Sequence, residues 1–496
     1  MPTHYALRPA ALRRLLIIVL FFAFAPGLLA LPQDPELYLD PAYGLQPRAA
    51  GHQYFPSPQD WRDVNIYQIF TDRFADGDPA NNTTGAMGID RSGWFESGKP
   101  FPQNRNYHHG GDWKGLKDNL DYLSGMGVNA VWISGVQMNN QGKDTRYTPY
   151  HMYHPTDFFN VDPVMGTFQD LKDLIDACHA RGIYVILDVV INHTADLNGL
   201  RNGEDDKWYW PSGGPNFDWW SGRRHPYPFN DLRWFHNNGT INSWDAFPET
   251  LLGQFKGTDD LATESGHVTY WITEAFKNLI DATDCDGFRV DAIKHVEYEW
   301  VKEWADDIRQ HAATKGKNDF ILFGELFVYN NNALASYCRE EGYSFNSALF
   351  FPMSQTIKSV FVDGQGTGQL TQALGAKSQY GEGENRLVTF IDNHDVNRIG
   401  LFISQQGDTG RINYVMKPAL TFLYTATPVP CLFYGTEHAF NQGGHFNGSA
   451  ATFDNPDDGD WQRENMSNRG FQPGPANGNK LLQTDAPQYL HIKALN

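Results

Sequence analysis

The stretch FQDLKDLIDACHARGIYVILDVVINH, residues Phe168–His193, predicts the fold because it joins an amphipathic helix directly to a buried strand. Its first part, Phe168–Arg181, places apolar residues at helical spacing and charged residues on the opposite face. Its second part, Tyr184–Val190, is a continuous apolar run, as in strands covered on both faces. The strand then ends in a polar cluster, Asp188–His193.

Apolar runs of the same kind recur along the chain, and helical patterns separate most of them. This alternation predicts an α/β fold in which helices cover a parallel sheet. Eight candidate strands predict a closed (β/α)8 TIM barrel, whose active site lies at the C-terminal strand ends. The candidate strands are Val64–Phe70, Ala130–Val136, Tyr184–Val190, Gly287–Ile293, Phe320–Leu326, Phe345–Phe351, Leu387–Ile391 and Val429–Tyr434.

Two intervals break the alternation. Residues 194–264 are rich in Trp, Gly, Pro, Asn and Asp, which predicts a small domain inserted after the third strand and forming one wall of a cleft. The barrel is then expected in two parts, 61–193 and 265–496, preceded by an N-terminal extension at 31–60. A second loop-like stretch, Ala439–Asp485, follows the eighth strand, and the last helix is expected to be truncated.

Residues 1–30 predict a signal peptide and hence a secreted product. The basic pair Arg13–Arg14 precedes the apolar run Leu15–Ala25, and Leu28–Ala30 offers a small-residue cleavage site. The alternative is a signal anchor, but Pro26–Gly27 interrupts the run and the run is short for a membrane span. After removal of the signal, no membrane association is expected.

The composition excludes some partners. The formal net charge is −19, from 58 acidic and 39 basic residues, which argues against nucleic acid or an anionic membrane surface. Four cysteines are too few for a disulfide scaffold, and buried thiols and disulfide bridges are both open. We expect a monomer.

Polar clusters end four of the predicted strands, at the barrel end where active sites lie. Together they contribute three carboxylates, which suit acid–base chemistry on a glycosidic bond. A single Asp, Glu or His at a strand end is often structural, but four clusters in barrel order favour a functional site. The clusters are Asp188–His193, Gly287–His295, Gly324–Phe327 and Phe390–Asp395.

The three carboxylates divide naturally between roles. Asp291 and Glu325 end neighbouring strands, so they can meet the spacing of about 5–5.5 Å that a retaining glycosidase needs. Arg289 shares the strand face of Asp291 and is expected to keep it ionised. Apolar neighbours are expected to raise the pKa of Glu325 and suit it to general-acid work. The third carboxylate, Asp395, is expected to hold sugar hydroxyls and to stabilise the oxocarbenium-like transition state.

In order and spacing the four clusters resemble the signature regions of the α-amylase superfamily of glycoside hydrolases, from about Asn65 to Asn496. The resemblance implies a calcium-dependent, retaining hydrolase or transferase acting on α-1,4-glucans. It makes Asp291 the nucleophile, Glu325 the acid/base and Asp395 the transition-state stabiliser. The residues expected to contact sugar are Arg289, His193, His394, Lys294, His295, Tyr153 and Asp188. Supporting matches are Ile66–Phe74, Gly110–Leu116, Gly127–Ser134 and Tyr434–Glu437.

The resemblance also implies Ca²⁺ binding through oxygen ligands, as a hard cation requires. It assigns a calcium between inserted domain and barrel to Asn192, Asp260 and the backbone carbonyl of His295. A second site, similar to one in cyclodextrin glucanotransferases, is expected near the first strand, with a plain or glycosylated polar turn as the alternative. Its ligands are Asp76, Asp78, Asn81, Asn82 and Asp112.

The sequence departs from the family pattern in three places. His154 stands where a tryptophan is usual beside the sugar-stacking Tyr153. Lys256, next to Phe255, replaces the aromatic residue around which cyclising glucanotransferases wind the glucan, so hydrolysis is expected over cyclisation. The chain is also expected to lack the family's C-terminal β-sandwich domain. A transglycosylase is the alternative, followed by a non-catalytic carbohydrate-binding or membrane-anchored relative.

Overall fold

Eight short parallel strands, β1 to β8, form the centre of the described part of the chain. The computed structural model describes residues 37–82, 107–139, 148–200, 207–209, 217–219, 223–255, 257–338, 345–406, 411–441, 462–466 and 482–496. The predicted signal peptide and Lys256 lie outside these residues. The strands are β1 Ile66–Ile69, β2 Ala130–Ile133, β3 Tyr184–Val190, β4 Gly287–Asp291, β5 Ile321–Gly324, β6 Ser347–Ala348, β7 Val388–Phe390 and β8 Val429–Phe433.

The strands follow one another around a barrel. Their order in the sheet is β6-β5-β4-β3-β2-β1-β8-β7, and neighbouring strands pair in parallel. A parallel bridge between Leu349 and Val388 joins the two ends of this order and nearly closes the ring. The (β/α)8 barrel predicted from the sequence is therefore confirmed.

The stretch Phe168–His193 folds as its pattern predicts. The helix Phe168–His179 begins at a capping box, in which Thr167 Oγ1 accepts from the Asp170 N–H at 3.2 Å and Asp170 Oδ2 accepts from the Thr167 N–H at 2.8 Å. Its apolar face is buried, and β3 is buried along nearly its whole length. The strand therefore delivers its final polar residues to the C-terminal end of the barrel.

Two elements differ from the prediction. The sixth strand is only the pair Ser347–Ala348, because the chain turns into the helix Phe351–Ile357 with a proline in its first turn. The stretch Leu116–Met126, whose sequence pattern favours a single helix, is interrupted at Asn119, whose side-chain amide donates to the Gly115 carbonyl at 2.7 Å. This local bond competes with the helical backbone pattern.

Helices cover the barrel in the described part of the chain. The longest are Gly266–Thr283 and Tyr298–Thr314, which follow the inserted stretch and β4. The other α-helices are Thr71–Phe74, Trp113–Asp118, Leu120–Met126, Phe168–His179, Glu249–Leu252, Asn331–Ser336, Phe351–Ile357, Gly368–Gly375, Ile399–Gln405, Ile412–Ala426 and Pro487–Leu495.

The stretch between β3 and the helix Gly266–Thr283 is mostly irregular where the structure describes it. Its start and end are held together by a short antiparallel pair, His193–Thr194 with Asp259–Asp260. This pairing returns the chain to the C-terminal end of the barrel and brings the inserted stretch beside the strand ends.

All four cysteines are buried and free. Of the two alternatives that the sequence left open, buried thiols are therefore correct and disulfide bridges are not. In the portions that the structure covers, no helix combines the length and apolar character needed to span a membrane.

Candidate active site

The three predicted carboxylates meet in one pocket at the C-terminal end of the barrel. Asp291 is the last residue of β4, Glu325 directly follows β5, and Asp395 lies in the loop after β7. All three line a cavity of about 370 Å³, within the size range of small-molecule sites. The barrel geometry thus joins residues that are far apart in the sequence.

The guanidinium of Arg289 contacts three carboxylates at the base of the site. Its side chain is completely buried, and Nη1 lies 2.7 Å from Asp291 Oδ1 and 2.8 Å from Asp188 Oδ1. Its Nη2 lies 2.9 Å from Glu325 Oε1. One guanidinium therefore contacts carboxylates from three neighbouring strands, and this shared contact brings Asp291 and Glu325 close together.

Burial is the main influence on the pKa values of Asp291 and Glu325. Burial raises the pKa of both Asp291 and Glu325, and Arg289 opposes that rise in each case. Asp395 behaves differently. Burial alone would raise its pKa, but His394 and Arg463 outweigh burial and hold the pKa of Asp395 well below its usual range. The pocket therefore keeps one carboxylate firmly ionised and favours a proton on the buried pair.

Asp188 and Arg289 lie beneath the pocket wall. Asp188 is 2% exposed and accepts hydrogen bonds from Trp132 Nε1 at 3.0 Å and from the Tyr153 hydroxyl at 2.8 Å. Arg289 is 0% exposed. Both residues were expected to contact sugar. Because they are buried and the Asp188 carboxylate and the two Arg289 Nη atoms already contact neighbouring side chains, they are placed to orient the groups that line the pocket.

Tyr153 and His394 form the wall next to Asp395. Their rings stack at a centroid distance of 5.5 Å, and the Tyr153 hydroxyl lies 2.9 Å from His394 Nε2. The Gln68 amide nitrogen donates to His394 Nδ1 at 2.7 Å, which leaves Nε2 to carry the proton. Nε2 then faces Asp395 Oδ2 at 2.8 Å.

Two further histidines line the pocket, and both are held neutral. Burial lowers the pKa of His193 to about 3 and that of His295 to about 4. His193 Nε2 lies 3.1 Å from the Tyr153 carbonyl, and His295 Nδ1 lies 2.9 Å from the Thr250 carbonyl. Neutral imidazoles at a pocket wall can donate to or accept from sugar hydroxyls.

The inserted stretch supplies an aromatic wall beside His295. Trp244 and Phe255 line the pocket, and the Trp244 ring stands edge-on to His295 at 5.6 Å between centroids. Lys294 Nζ, also at the pocket, reaches Asp245 Oδ1 at 2.5 Å. An apolar wall with a few polar groups is the lining expected of a carbohydrate site.

Several pocket residues were missed by the sequence analysis. Arg463 contacts Asp395 Oδ1 through Nη2 at 3.1 Å, and it lies in a loop-like stretch that shows no strand or helix periodicity. Trp244 lies in a region predicted as a cleft wall, but composition alone does not say which of its aromatic residues faces the pocket. His151 and His154 line the pocket from the loop after β2, and His154 does so where a tryptophan was expected.

The residues predicted for a calcium near β1 converge. The Asn82 amide donates to Asp76 Oδ2 at 2.8 Å, and the Asn81 amide donates to Asp112 Oδ2 at 3.0 Å. Asn82 Oδ1 is buried without a hydrogen-bond partner in the described chain, and burial raises the pKa of Asp112. Asp112 also accepts from the backbone N–H groups of Gly77, Asp78 and Gly115 at 3.0, 2.8 and 2.6 Å.

The backbone approaches this group closely as well. Gly110 has a φ of +91°, and a Cβ atom there would lie 2.8 Å from Asn82 Oδ1. Oxygen donors, buried carboxylates and close backbone approach are what a hard cation requires. This set of residues therefore fits calcium.

The residues predicted for the other calcium do not form such a set. In the antiparallel pair, Asp260 is directly opposite His193, so their side chains share a face and Asn192 is directed to the other. Asp260 Oδ2 lies 2.7 Å from His236 Nδ1, which is a nitrogen contact and not an oxygen cage. The assignment of Asn192, Asp260 and the His295 carbonyl to one ion therefore does not fit.

The contacts of His236 explain why Asp260 does not belong to an oxygen-only ligand set. Its Nε2 lies 2.9 Å from Glu264, and ligand atoms of His236, Glu264 and Glu297 all lie within 4.8 Å of one another. Burial would lower the pKa of His236, but Asp260 and Glu264 outweigh burial and raise it to about 10. A protonated imidazole thus supplies positive charge inside this group of carboxylates.

Comparison with known proteins agrees with the fold. Residues 68–492 match the family model "Alpha amylase, catalytic domain", and the chain therefore belongs to the α-amylase family. It is 31% identical to the alpha-amylase of Streptomyces lividans over 386 residues, which cover 69% of this chain and 42% of that protein. It is 34% identical to the cyclomaltodextrin glucanotransferase of Bacillus sp. (strain 38-2) over 394 residues, or 76% of this chain and 50% of that protein.

A solved structure is similar over more of the chain. The crystal structure of an Anoxybacillus alpha-amylase gives a TM-score of 0.66 at 27% identity, covering 88% of this chain and 78% of that one. The chain spans half or less of the length of the two curated relatives above.

Proposed function

We propose that this chain is the catalytic unit of a secreted, retaining glycoside hydrolase that cleaves internal α-1,4-glucosidic bonds of starch-like glucans. The observation that carries the proposal is the Arg289 guanidinium, which contacts Asp291 and Glu325 at 2.7 and 2.9 Å. Because Asp291 and Glu325 end neighbouring strands and share this guanidinium, their arrangement favours the carboxylate spacing of a retaining enzyme, about 5–5.5 Å, over the about 6.5–9.5 Å of an inverting one.

In the first step Asp291 attacks the anomeric carbon. A bond forms between a carboxylate oxygen of Asp291 and the carbon, while the glycosidic bond breaks and its electron pair goes to the leaving oxygen. Glu325 gives its proton to that oxygen, so the leaving sugar departs as an alcohol. Arg289 directs the Asp291 carboxylate, and Asp395 faces the sugar ring as positive charge develops there.

In the second step water releases the sugar. Glu325, now ionised, takes a proton from a water molecule whose oxygen attacks the same carbon. The bond to Asp291 breaks, and both side chains return to their starting protonation states. Two displacements at one carbon retain its configuration. Release of the α-anomer, followed by ¹H NMR during the first minutes of starch hydrolysis, tests this; an initial β-anomer would contradict it.

The pH profile follows from the two buried acids. Activity needs ionised Asp291 and protonated Glu325, so kcat/KM should be bell-shaped, with the basic limb set by Glu325. Because burial raises the pKa of Glu325, that limb should lie above the usual titration range of glutamate. With α-maltosyl fluoride, whose leaving group needs no proton, kcat/KM should stay high through this basic range. A basic limb unchanged with the fluoride would assign it to another group.

A transglycosylase is the second candidate, because the chain is also similar to cyclomaltodextrin glucanotransferases. Trp244, Phe255 and Phe327 line the pocket, and apolar walls can retain an acceptor sugar and exclude water. Product analysis separates the two. Hydrolysis gives linear oligosaccharides with one new reducing end per cleavage, whereas transfer gives cyclic products or scrambled chain lengths.

Calcium binding is proposed for the residues near β1. Asp76, Asp78, Asn81, Asn82 and Asp112 would hold the ion, which would supply positive charge that neutralises the buried carboxylates. None of these five residues lines the pocket, so the catalytic steps above do not involve the ion.

Removal of calcium should lower thermal stability. Dialysis against EDTA is expected to lower the Tm, and added Ca²⁺ but not Na⁺ should restore it, because the ion binds the folded state. The variant Asp112→Asn should have a Tm that EDTA no longer changes, while Asp118→Asn, on the same helix and exposed, should respond like wild type. An EDTA-sensitive Tm in Asp112→Asn would place the calcium elsewhere.

A further inference from the structure

Arg463 is a pocket-lining cation from outside the four strand-end clusters. Its side chain is 8% exposed, and Nη2 donates to Asp395 Oδ1 at 3.1 Å. Nε donates to the His394 carbonyl at 3.1 Å, and Nη1 donates to the Tyr150 hydroxyl at 3.2 Å. All three nitrogens of the guanidinium therefore have acceptors, and the group is fixed in orientation.

The segment that carries Arg463 is itself anchored to the barrel. The Gln462 amide donates to the same His394 carbonyl at 2.6 Å. Glu464 accepts from Arg398 Nε at 2.9 Å, and both of these side chains are completely buried. An arginine placed between two such anchors has little freedom to leave Asp395.

Two arginines divide the carboxylates of the pocket between them. Arg289 contacts Asp188, Asp291 and Glu325. Arg463 contacts Asp395, which approaches the pocket from the other side. Asp395 shares this contact with the His394 ring, at 2.8 Å from its other carboxylate oxygen. Each oxygen of Asp395 thus has one nitrogen partner.

We propose that Arg463 is a positioning residue for the reaction, which fixes the orientation and the negative charge of Asp395 opposite the sugar ring. The inference rests on the proposed glycosidase function. A carboxylate stabilises an oxocarbenium-like transition state only while it is ionised and directed at the ring, and it does so best when its partners are preorganised.

The charged groups around Asp395 determine the expected pH effect. Asp291 and Glu325 oppose its ionisation, as does burial, whereas His394, Arg463 and Arg289 favour it. Removing Arg463 leaves the opposing groups in place and removes one that lowers the pKa. The pKa of Asp395 should therefore rise towards the usual range of an aspartate.

The test compares Arg463→Met and Arg463→Lys with wild type, using kcat and KM on maltoheptaose across the pH range. Arg463→Met should lower kcat about 10- to 100-fold near neutral pH, with a smaller change in KM, since the interaction acts in the transition state. Arg463→Lys should restore part of kcat, because it keeps the charge but not the planar fork.

A control variant separates positioning from folding. Arg386→Met removes another partly buried arginine, which contacts Asp319 at 3.1 Å, and it should leave kcat and the pH limbs unchanged even if the Tm falls. A loss in Arg463→Met that is confined to KM would overturn the inference.

A direct titration distinguishes this inference from the proposed function. The carboxyl ¹³C signal of Asp395, identified by its loss in Asp395→Asn, can be followed with pH in wild type and in Arg463→Met. The inference expects the midpoint to move to higher pH in the variant, and an unchanged midpoint overturns it. If wild type fails to cleave α-1,4-glucans, the proposed function fails, while the titration still decides whether Arg463 controls Asp395.

Discussion

Replacement of Asp291 by Asn is expected to lower kcat on soluble starch by a factor on the order of 10⁴–10⁶. Asparagine has nearly the same shape as aspartate but cannot form the ester bond to the sugar, so the first displacement is lost. Folding should survive, because Arg289 keeps its contacts with Asp188 and Glu325. The measurement is reducing-sugar release together with the Tm. Asp281→Asn, whose carboxylate pairs with His311 on a helix away from the strand ends, is the matched control.

The stereochemistry of a rescue reaction sharpens this result. In Asp291→Ala, added azide can enter the space that the carboxylate leaves and attack an activated α-maltosyl fluoride from that side. The product should be the β-maltosyl azide, because a single displacement inverts the carbon. Substantial starch hydrolysis by either variant, or formation of an α-azide by Asp291→Ala, would remove Asp291 from the nucleophile role.

Replacement of Glu325 by Gln is expected to lower kcat on starch about 10²- to 10⁴-fold, the usual contribution of a positioned general acid. Glutamine keeps the shape and the buried position but has no proton to give to the leaving oxygen. The loss should be much smaller for the first step on α-maltosyl fluoride, since fluoride leaves without protonation. Pre-steady-state measurement of fluoride release reports that step separately from turnover.

An intermediate should then accumulate. With the fluoride, Glu325→Gln should form the glycosyl-enzyme quickly and hydrolyse it slowly, because water is no longer activated. Intact-mass analysis after rapid quenching should show one added maltosyl group, and peptide mapping should place it on Asp291. Equal losses on starch and on the fluoride, with no adduct, would mean that Glu325 is not the acid/base.

How far the sequence predicted the molecule depends on how local each signal is. The period of Phe168–His179 and the apolar run of β3 are set by neighbouring residues, so the helix, the strand and the barrel could be predicted. The shortness of β6 could not, because Phe345–Phe351 is equally apolar as strand or as the start of a helix. Its outcome depends on tertiary packing.

The residues of the candidate site also differ in whether a local sequence pattern predicts them. Asp291, Glu325 and Asp395 follow strands, and the barrel brings all strand ends to one place, so the sequence predicted their meeting. Arg463 reaches Asp395 from a stretch without periodicity, and no local pattern connects the two. The ligand set predicted around Asp260 does not fit the observed geometry for a related reason, since the face that a side chain takes depends on the register with His193.

The burial of the catalytic pair has a consequence for stability. A carboxyl whose pKa is higher in the folded than in the unfolded chain makes folding less favourable as pH rises from its unfolded towards its folded value. Glu325 and Asp291 are both in this position. At neutral pH these two carboxyls therefore lower the free energy of unfolding, and Glu325→Gln should have a higher Tm than the active protein. Glu325 thus supports turnover but lowers stability, so selection for thermal stability alone would favour an inactive variant.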